Sequence, residues 1–366
     1  MRIALVAPLV TPISQPYVGG AQALVADLAQ GLMSRGHRVT LFAREGSSLP
    51  SVPIEHIAVP ASVQPASFSA PSREREADSG FFAQANLFLE LFLQLEQRHD
   101  EFDLIHAHAF DWPAFACSTL VRNLPVVHTV HLPAVSPEIN QALHVLDCQG
   151  HPLTLITVSH ACARSYARYT RFDHIIYNGL ELDAIPFSAS VPSDAPLLFA
   201  GRITPEKGVD AAIEIAKQAG RRLLIAGGIY DQDYYRQTIA PQIEQASEHV
   251  TYLGQLEHSA LWQVMGQALA LLFPIAWDEP FGLTAVEAMA TGTPVIAFRR
   301  GAVEEVICDG ETGFLVEPGD CAHAATLVND IVHLSRTACR AHVERSFSLE
   351  RMLEAYERVF AAIYQD

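Results

Sequence analysis

Two glutamates, Glu279 and Glu287, frame the segment D-E-P-F-G-L-T-A-V-E-A-M-A-T-G-T-P-V-I-A that runs from Asp278 to Ala297. Pro280 and Gly282 break regular structure between them. Leu283 to Ala290 is a run of good helix formers with apolar residues at helical spacing. A helix beginning there leaves the backbone N–H groups of Phe281, Gly282, Leu283 and Thr284 without intrahelical acceptors, at the positive end of the helix. Such donors suit an anion, and Gly282 lets a ligand come close to the backbone. Glu287 falls one to two turns into the helix, where it can accept hydrogen bonds from hydroxyls. A phosphate at a helix tip with a carboxylate nearby is what a nucleotide sugar requires. Taken alone, the segment fits an ordinary crossover helix with a solvated glutamate equally well.

A second group lies upstream in G-R-I-T-P-E-K-G, Gly201 to Gly208, where Arg202 and Lys207 flank a strand-to-helix loop. Arginine grips phosphate through two N–H groups, and lysine adds a point charge. Lys207 and Lys217 are the only lysines in an acidic chain. Standing alone, the pair would read as surface charges on a turn. Near the start, Gly19-Gly20 precede the helical pattern Ala21 to Arg35, a further place for a phosphate or a plain flexible turn. The G-x-G-x-x-G fingerprint of dinucleotide binding is absent there. Two histidine pairs end apolar runs, His106 and His108, then His128 and His131. Period two puts His106 and His108 on one side of a strand. No carboxylate sits at an obvious ligand spacing, so hydrogen bonding is the better reading than a metal.

The elements that must carry these groups alternate strand and helix throughout. Strands are expected at Arg2–Ala7, Val39–Ala43, Phe102–His108, Val126–His131, Thr154–Val158, His174–Tyr177, Leu197–Ala200, Leu223–Ala226, His249–Leu253, Ala268–Ile275, Val295–Phe298 and Phe314–Val316. Helices are expected at Ala21–Arg35, Phe81–Gln97, Ala161–Tyr169 behind Ser159, Val209–Ala219, Tyr234–Ala246 and Ser259–Ala268, with two more at the end. Phe81, Phe88, Phe92 and Leu95 form a stripe that reads as core. The stretch from Ala61 to Gly80 reads as an exposed loop, and Pro186 to Pro196 as a linker.

A chain of 366 residues with 49% hydrophobic residues exceeds one ordinary core, so two parallel α/β halves follow, with a cleft between them as the natural ligand site. The net charge of −17 argues against nucleic acid or an anionic membrane as the main partner. No apolar run is long enough to span a bilayer, and the apolar start at Met1 to Ala7 is ended by Pro8, unlike a signal peptide. Six scattered cysteines without C-x-x-C point to reduced thiols and a cytoplasmic setting.

Together the motifs resemble the retaining GT-B glycosyltransferases of family 4, also called group 1. The resemblance is carried by E-P-F-G-L-T-A-V-E at Glu279 to Glu287, by G-R-I-T-P-E-K-G, and by G-T-P-V-I-A after the helix. Gly19-Gly20, D-L-I-H-A-H ending at His108, T-V-H ending at His131, Y-N-G at Asn178-Gly179 and E-V-I-C-D-G-E-T-G-F-L-V from Glu305 follow in family order. The wording L-L-F-P-I-A-W-D-E-P-F-G-L is similar to a bacterial branch that includes an orthosomycin-antibiotic glycosyltransferase.

That resemblance implies two Rossmann-like doubly wound domains facing a central cleft. An acceptor domain over 1–187 would be joined by the last helix, 349–366, and a donor domain would span 188–348. Arg202 and Lys207 would bind the donor diphosphate, Glu287 the ribose hydroxyls and Glu279 the transferred sugar. The N–H groups of Phe281, Gly282, Leu283 and Thr284 would bind sugar hydroxyls and phosphate. Gly19 and Gly20 would close over the diphosphate. His108 would sit by the sugar, with His131 nearby as a sugar or acceptor contact. No metal or other cofactor is implied, and Asp231-Gln232-Asp233 lies in a loop before a helix, not at a strand end. The expected reaction moves a sugar, glucose or a relative on a UDP-type carrier, to a small-molecule, saccharide or natural-product hydroxyl. A sugar-nucleotide epimerase of the same architecture and a non-catalytic sugar-nucleotide-binding protein are the alternatives; a nicotinamide dehydrogenase lacks its glycine fingerprint.

Overall fold

The computed structural model describes residues 1–15, 17, 19–60, 79–151 and 153–365. The chain divides into two compact units, Met1–Gly179 with Leu349–Asp366, and Leu180–Ser348. The break thus falls before the 187/188 boundary expected from sequence. The proline- and serine-rich stretch read as a linker belongs to the second unit. There the Ser188 N–H donates to the Thr291 carbonyl at 3.0 Å, and the Ser188 carbonyl accepts from Arg336 at 2.8 Å. Its composition marks irregular backbone, and side-chain donors elsewhere anchor that backbone.

The first unit holds a seven-stranded sheet of β1 (Arg2–Val6), β2 (Arg38–Arg44), β3 (Ile54–Ile57), β4 (Leu104–Ala107), β5 (Val126–Val130), β6 (Thr154–Thr157) and β7 (His174–Ile175). The order is β3-β2-β1-β4-β5-β6-β7 and every pairing is parallel. Parallel strands are covered on both faces, so β4 and β5 are buried at every position, their His106, His128 and Thr129 included. One face carries helix Gly20–Ser34 and the last helix, Leu349–Gln365, whose Tyr356 and Phe360 are fully buried in the same cluster as Ile3 and Leu5. Arg35 ties the two helices by pairing with Glu357 at 2.8 Å and Glu350 at 3.0 Å. Helix Ser79–Gln97 covers the other face through Phe88, Leu91, Phe92 and Leu95. The side chain of Phe81 and residues 61–78 lie outside the described set, and with them most of the expected loop.

The second unit repeats the plan with β8 (Leu197–Ala200), β9 (Leu223–Ala226), β10 (Val250–Gly254), β11 (Leu271–Phe273), β12 (Val295–Phe298) and β13 (Gly313–Val316), in the order β10-β9-β8-β11-β12-β13. Residues Ala268 to Ile275 are all buried, yet only Leu271–Phe273 enter the ladder. The helix expected over Tyr234–Ala246 is continuous but opens into a π turn at Tyr235–Ile239, just before Pro241, which has no N–H to donate.

Both sheets reverse their winding beside the first strand. Strand β1 has β2 on one side and β4 on the other; β8 has β9 and β11. Loops leaving the carboxyl ends of such neighbouring strands diverge and leave a crevice where α/β sheets take ligands. The loop after β8 carries Arg202 and Lys207, and the loop after β11 carries Glu279. In the first unit, Gly19-Gly20 follow β1 and His108 follows β4.

Candidate functional site

In the second unit, the loops after β8 and β11 are fastened to each other. The Ala276 N–H donates to the Glu206 carbonyl at 2.9 Å, and a Cβ on Gly208 would stand 2.0 Å from the Pro274 carbonyl oxygen. Gly208, at φ 73°, ends the 3-10 turn Pro205–Lys207 and starts helix Val209–Gln218. A side chain there would push the two loops apart, so glycine is what brings Lys207 to its partner. That partner is Glu279. The Lys207 Nζ donates to Glu279 Oε2 at 2.7 Å, and both side chains are largely buried, 15% and 11% exposed. The Trp277 indole N–H donates to the same oxygen at 2.7 Å, and the Lys207 ammonium lies over the Trp277 ring, 5.1 Å from its centroid. With two donors on Oε2, Glu279 takes no donor on Oε1 among the described residues.

Arg202 shares the loop but not the cluster. Its side chain is 45% exposed, 3.6 Å from Glu206 and stacked on Tyr230 at 5.6 Å. The structure therefore assembles Lys207 with Glu279 and leaves Arg202 at the rim, on the same loop.

Gly282, at φ 97° and ψ 49°, turns the chain into helix Leu283–Ala290 in a left-handed conformation that favours glycine. No side chain caps this helix, and among the described residues the N–H groups of Gly282, Leu283 and Thr284 meet no acceptor. Phe281 sits behind them with its ring against Phe347 at 5.6 Å. Residues Ala285 to Ala290 are buried, Glu287 among them. Trp262 donates its indole N–H to Glu287 Oε1 at 3.1 Å. Burial pushes the Glu287 carboxyl above its ordinary range, opposed by His258 and by the Trp262 hydrogen bond. The far end of the helix is held by Arg340, which donates to the Ala290 carbonyl at 3.0 Å, a cation at the negative pole. Asp231 of the D-Q-D run accepts from Asp233 and Tyr234 N–H groups, so it is a helix cap.

The first unit contains the histidines. His106 and His108 lie on one side, ring centroids 4.2 Å apart, both fully buried. His108 Nδ1 is 2.8 Å from His131 Nε2, and the rings stack. His108 Nε2 is buried and has no partner among the described residues. Burial drives both imidazoles toward the neutral form: His131 falls to about 4 and His108 well below its ordinary value. The second histidine pair of the sequence splits. His128 bonds Ser118 at 3.0 Å and packs on Phe115, so it is a core residue, and His106 bonds Thr129 at 2.8 Å. Gly19 is extended, which any residue adopts, and a Cβ on Gly20 would meet no atom within 4 Å. A Cβ on Gly19 would stand 3.2 Å from the movable end of the Gln22 side chain, so among the described residues neither glycine is required by its backbone and only Gly19 is closely packed.

Sequence reasoning passed over both tryptophans. Trp277 stands two residues before Glu279, and its role was open to inspection there. Trp262 lies on helix His258–Gln267, and nothing linear ties it to Glu287.

Comparison with known proteins matches the model described as "Glycosyltransferase Family 4" over residues 18–184 and the model described as "Glycosyl transferases group 1" over 184–345. A glycogen synthase of Mycobacterium tuberculosis is 28% identical over 295 residues, covering 71% of this chain and 69% of that protein. The fold is shared with sucrose-phosphate synthase from Thermosynechococcus elongatus at a TM-score of 0.77 and 24% identity, covering 99% of each chain. It is shared also with Anabaena HepE in complex with UDP-glucose, at 0.70 and 20%, covering 99% and 100%. The two family models meet at residue 184 and between them cover residues 18–345, which takes in every strand of both sheets except β1 and includes the Glu279–Glu287 helix, so the chain belongs to the GT-B glycosyltransferases of group 1, family 4.

Proposed function

We propose that this glycosyltransferase moves glucose or a close relative from a UDP-linked donor to an acceptor hydroxyl, with retention of configuration at the anomeric carbon and without a metal. The observation that carries the reading is the junction of Lys207, Glu279 and the open start of helix Leu283–Ala290 beside one switch point. One ammonium and a row of N–H groups suit a diphosphate, and two buried carboxylates with open oxygens suit sugar and ribose hydroxyls. Support for the carrier comes from Anabaena HepE, whose structure holds UDP-glucose. The six cysteines, none of them in a disulfide, support a reducing, cytoplasmic setting.

In this reading the bond between the anomeric carbon and the β-phosphate oxygen breaks, and negative charge grows on that oxygen. Lys207 and the N–H groups of Gly282, Leu283 and Thr284 are fixed in advance where the charge appears, which is the effective form of electrostatic stabilisation. Arg202, half-exposed at the rim, leaves Glu206 and Tyr230 to reach the diphosphate. The acceptor oxygen attacks from the face the leaving group departs, and its proton passes to the departing phosphate oxygen. Acceptor chemistry is a small molecule, saccharide or natural product.

The test is a panel of nucleotide sugars offered with and without an acceptor library, read by mass spectrometry, with the product anomer assigned by NMR. UDP release and an α-linked product from an α-linked donor are expected. An inverted product refutes retention. A changed donor without acceptor reveals an epimerase instead.

A further inference from the structure

Two of the three tryptophans in the chain donate their indole N–H to the two glutamates of the site: Trp277 to Glu279 Oε2 at 2.7 Å, Trp262 to Glu287 Oε1 at 3.1 Å. The two contacts come from different elements, the loop after β11 and helix His258–Gln267, so they are independent of each other. Each leaves the second carboxylate oxygen without a donor among the described residues. We propose that Trp277 and Trp262 are positioning residues, each fixing one glutamate so that a single carboxylate oxygen faces the hydroxyls of the bound nucleotide sugar.

The chemistry favours tryptophan for this task. A carboxylate has about four acceptor sites and rotates about its last bond, so a free glutamate offers hydroxyls no fixed direction. Indole is a donor only, on a rigid plane, and cannot compete with the carboxylate for the ligand's donors. At Glu287 a lysine or arginine in the indole's place would offset the charge that makes the acceptor strong, whereas Glu279 already shares its Oε2 with the Lys207 ammonium and the indole adds direction there. Among the described residues no lysine or arginine pairs with Glu287, and His258 acts on it through its charge, so the indole orients the carboxylate without itself neutralising it. At Glu279 the same indole works twice: its ring lies under the Lys207 ammonium, so one side chain sets both the acid and the cation. The sites are linked to different parts of the reaction. Glu287 would hold groups that do not react, so loosening it weakens ground state and transition state alike. Glu279 would hold the transferred sugar, whose geometry changes during the reaction, so loosening it weakens the transition state more.

The inference takes its ligand from the reading above, whereas the indole contacts stand without it. The test therefore has two arms on the full chain. In the first, the three indole N–H resonances of the nitrogen-labelled protein are assigned with Trp112→Phe, Trp262→Phe and Trp277→Phe. Glu279→Gln should move the Trp277 resonance and Glu287→Gln the Trp262 resonance, with Trp112 unmoved in both. If each resonance stays put, the proposal falls, whatever the enzyme acts on.

In the second arm, turnover of UDP-glucose is measured for the phenylalanine variants. Trp262→Phe should raise KM and Trp277→Phe should lower kcat, each with a loss in kcat/KM on the order of 10- to 100-fold, the worth of one hydrogen bond to a charged group. Wild-type turnover with unchanged constants in both site variants overturns the positioning role. Absence of wild-type turnover with any nucleotide sugar overturns the functional reading instead, and the resonances alone then decide the placement of the tryptophans.

Discussion

Lys207 and Glu279 offer the sharpest test of how the second unit is built. Their atoms are 2.7 Å apart and the side chains are 15% and 11% exposed. At an effective dielectric near 20, that separation gives a gross attraction of about 6 kcal/mol. Desolvating two ions takes back most of it, leaving a net coupling of about 1–3 kcal/mol, above the 0–1 kcal/mol typical of surface pairs. Lys207→Met strands a carboxylate on the Trp277 indole alone, and should lower the melting temperature of the second unit by roughly 4–8 °C, taking about 2 kcal/mol and the usual slope for a domain of this size. Glu279→Gln strands the ammonium and should cost a similar amount. The double variant should be no worse than either single one, because the second change removes the stranded partner. The assay is a double-mutant cycle by thermal and denaturant unfolding. A coupling below about 0.5 kcal/mol would mean that the two groups do not pair in solution, and the argument for a preformed cation beside the helix start would fail with it.

Three further outcomes follow from the same structure. Gly208→Ala places a Cβ 2.0 Å from the Pro274 carbonyl at φ 73°, so it should cost about 2–4 kcal/mol and reduce turnover. Gly220→Ala, also at positive φ but with open space, should cost only about 1 kcal/mol; equal melting temperatures would count against the close loop approach. Arg336, 8% exposed, donates to the carbonyls of Ser188, Gly266 and Ala268 and to the Thr293 hydroxyl. Arg336→Met strands those acceptors and should cost about 3–5 kcal/mol in unfolding free energy. Burial holds His128 down to about 3 and His131 to about 4, below the unfolded value near 6.5. The unfolded chain then binds more protons than the fold below about pH 6.5, so stability is lost as pH falls from there toward 4, by up to about 1.4 kcal/mol per pH unit for each histidine. His128→Leu should flatten the melting-temperature profile between pH 7 and 5, and an unchanged slope would contradict the assignment.

Much of this site was legible because local chemistry and chain order agree in it. Gly282 needs a left-handed turn, Leu283–Ala290 favour a helix, and Val295–Phe298 an interior strand, so the Glu279–Glu287 unit has the boundaries expected from its residues. Loop partners were less legible. Nothing in the spacing of Arg202 and Lys207 says that lysine turns inward to Glu279 while arginine stacks outward on Tyr230; that depends on Gly208 meeting Pro274, a contact between distant segments. The histidines show the same limit. Period two paired His106 with His108 correctly, but His131 lies past the end of β5, so it leaves its sequence neighbour His128 in the core and bonds His108. Strand Ile54–Ile57 escaped because its centre, Glu55-His56, is polar at a sheet edge. The 179/180 break escaped because proline and serine describe irregular backbone and are silent on what anchors it.

The most direct measurement is nucleotide release from UDP-glucose and related donors, compared between the wild-type chain and Lys207→Ala. The account predicts UDP release by the wild-type protein and a fall on the order of 100- to 1,000-fold when the ammonium is removed, the usual effect of deleting one preorganised charge-stabilising group. Absence of binding to every nucleotide sugar, or undiminished release by Lys207→Ala, would contradict it.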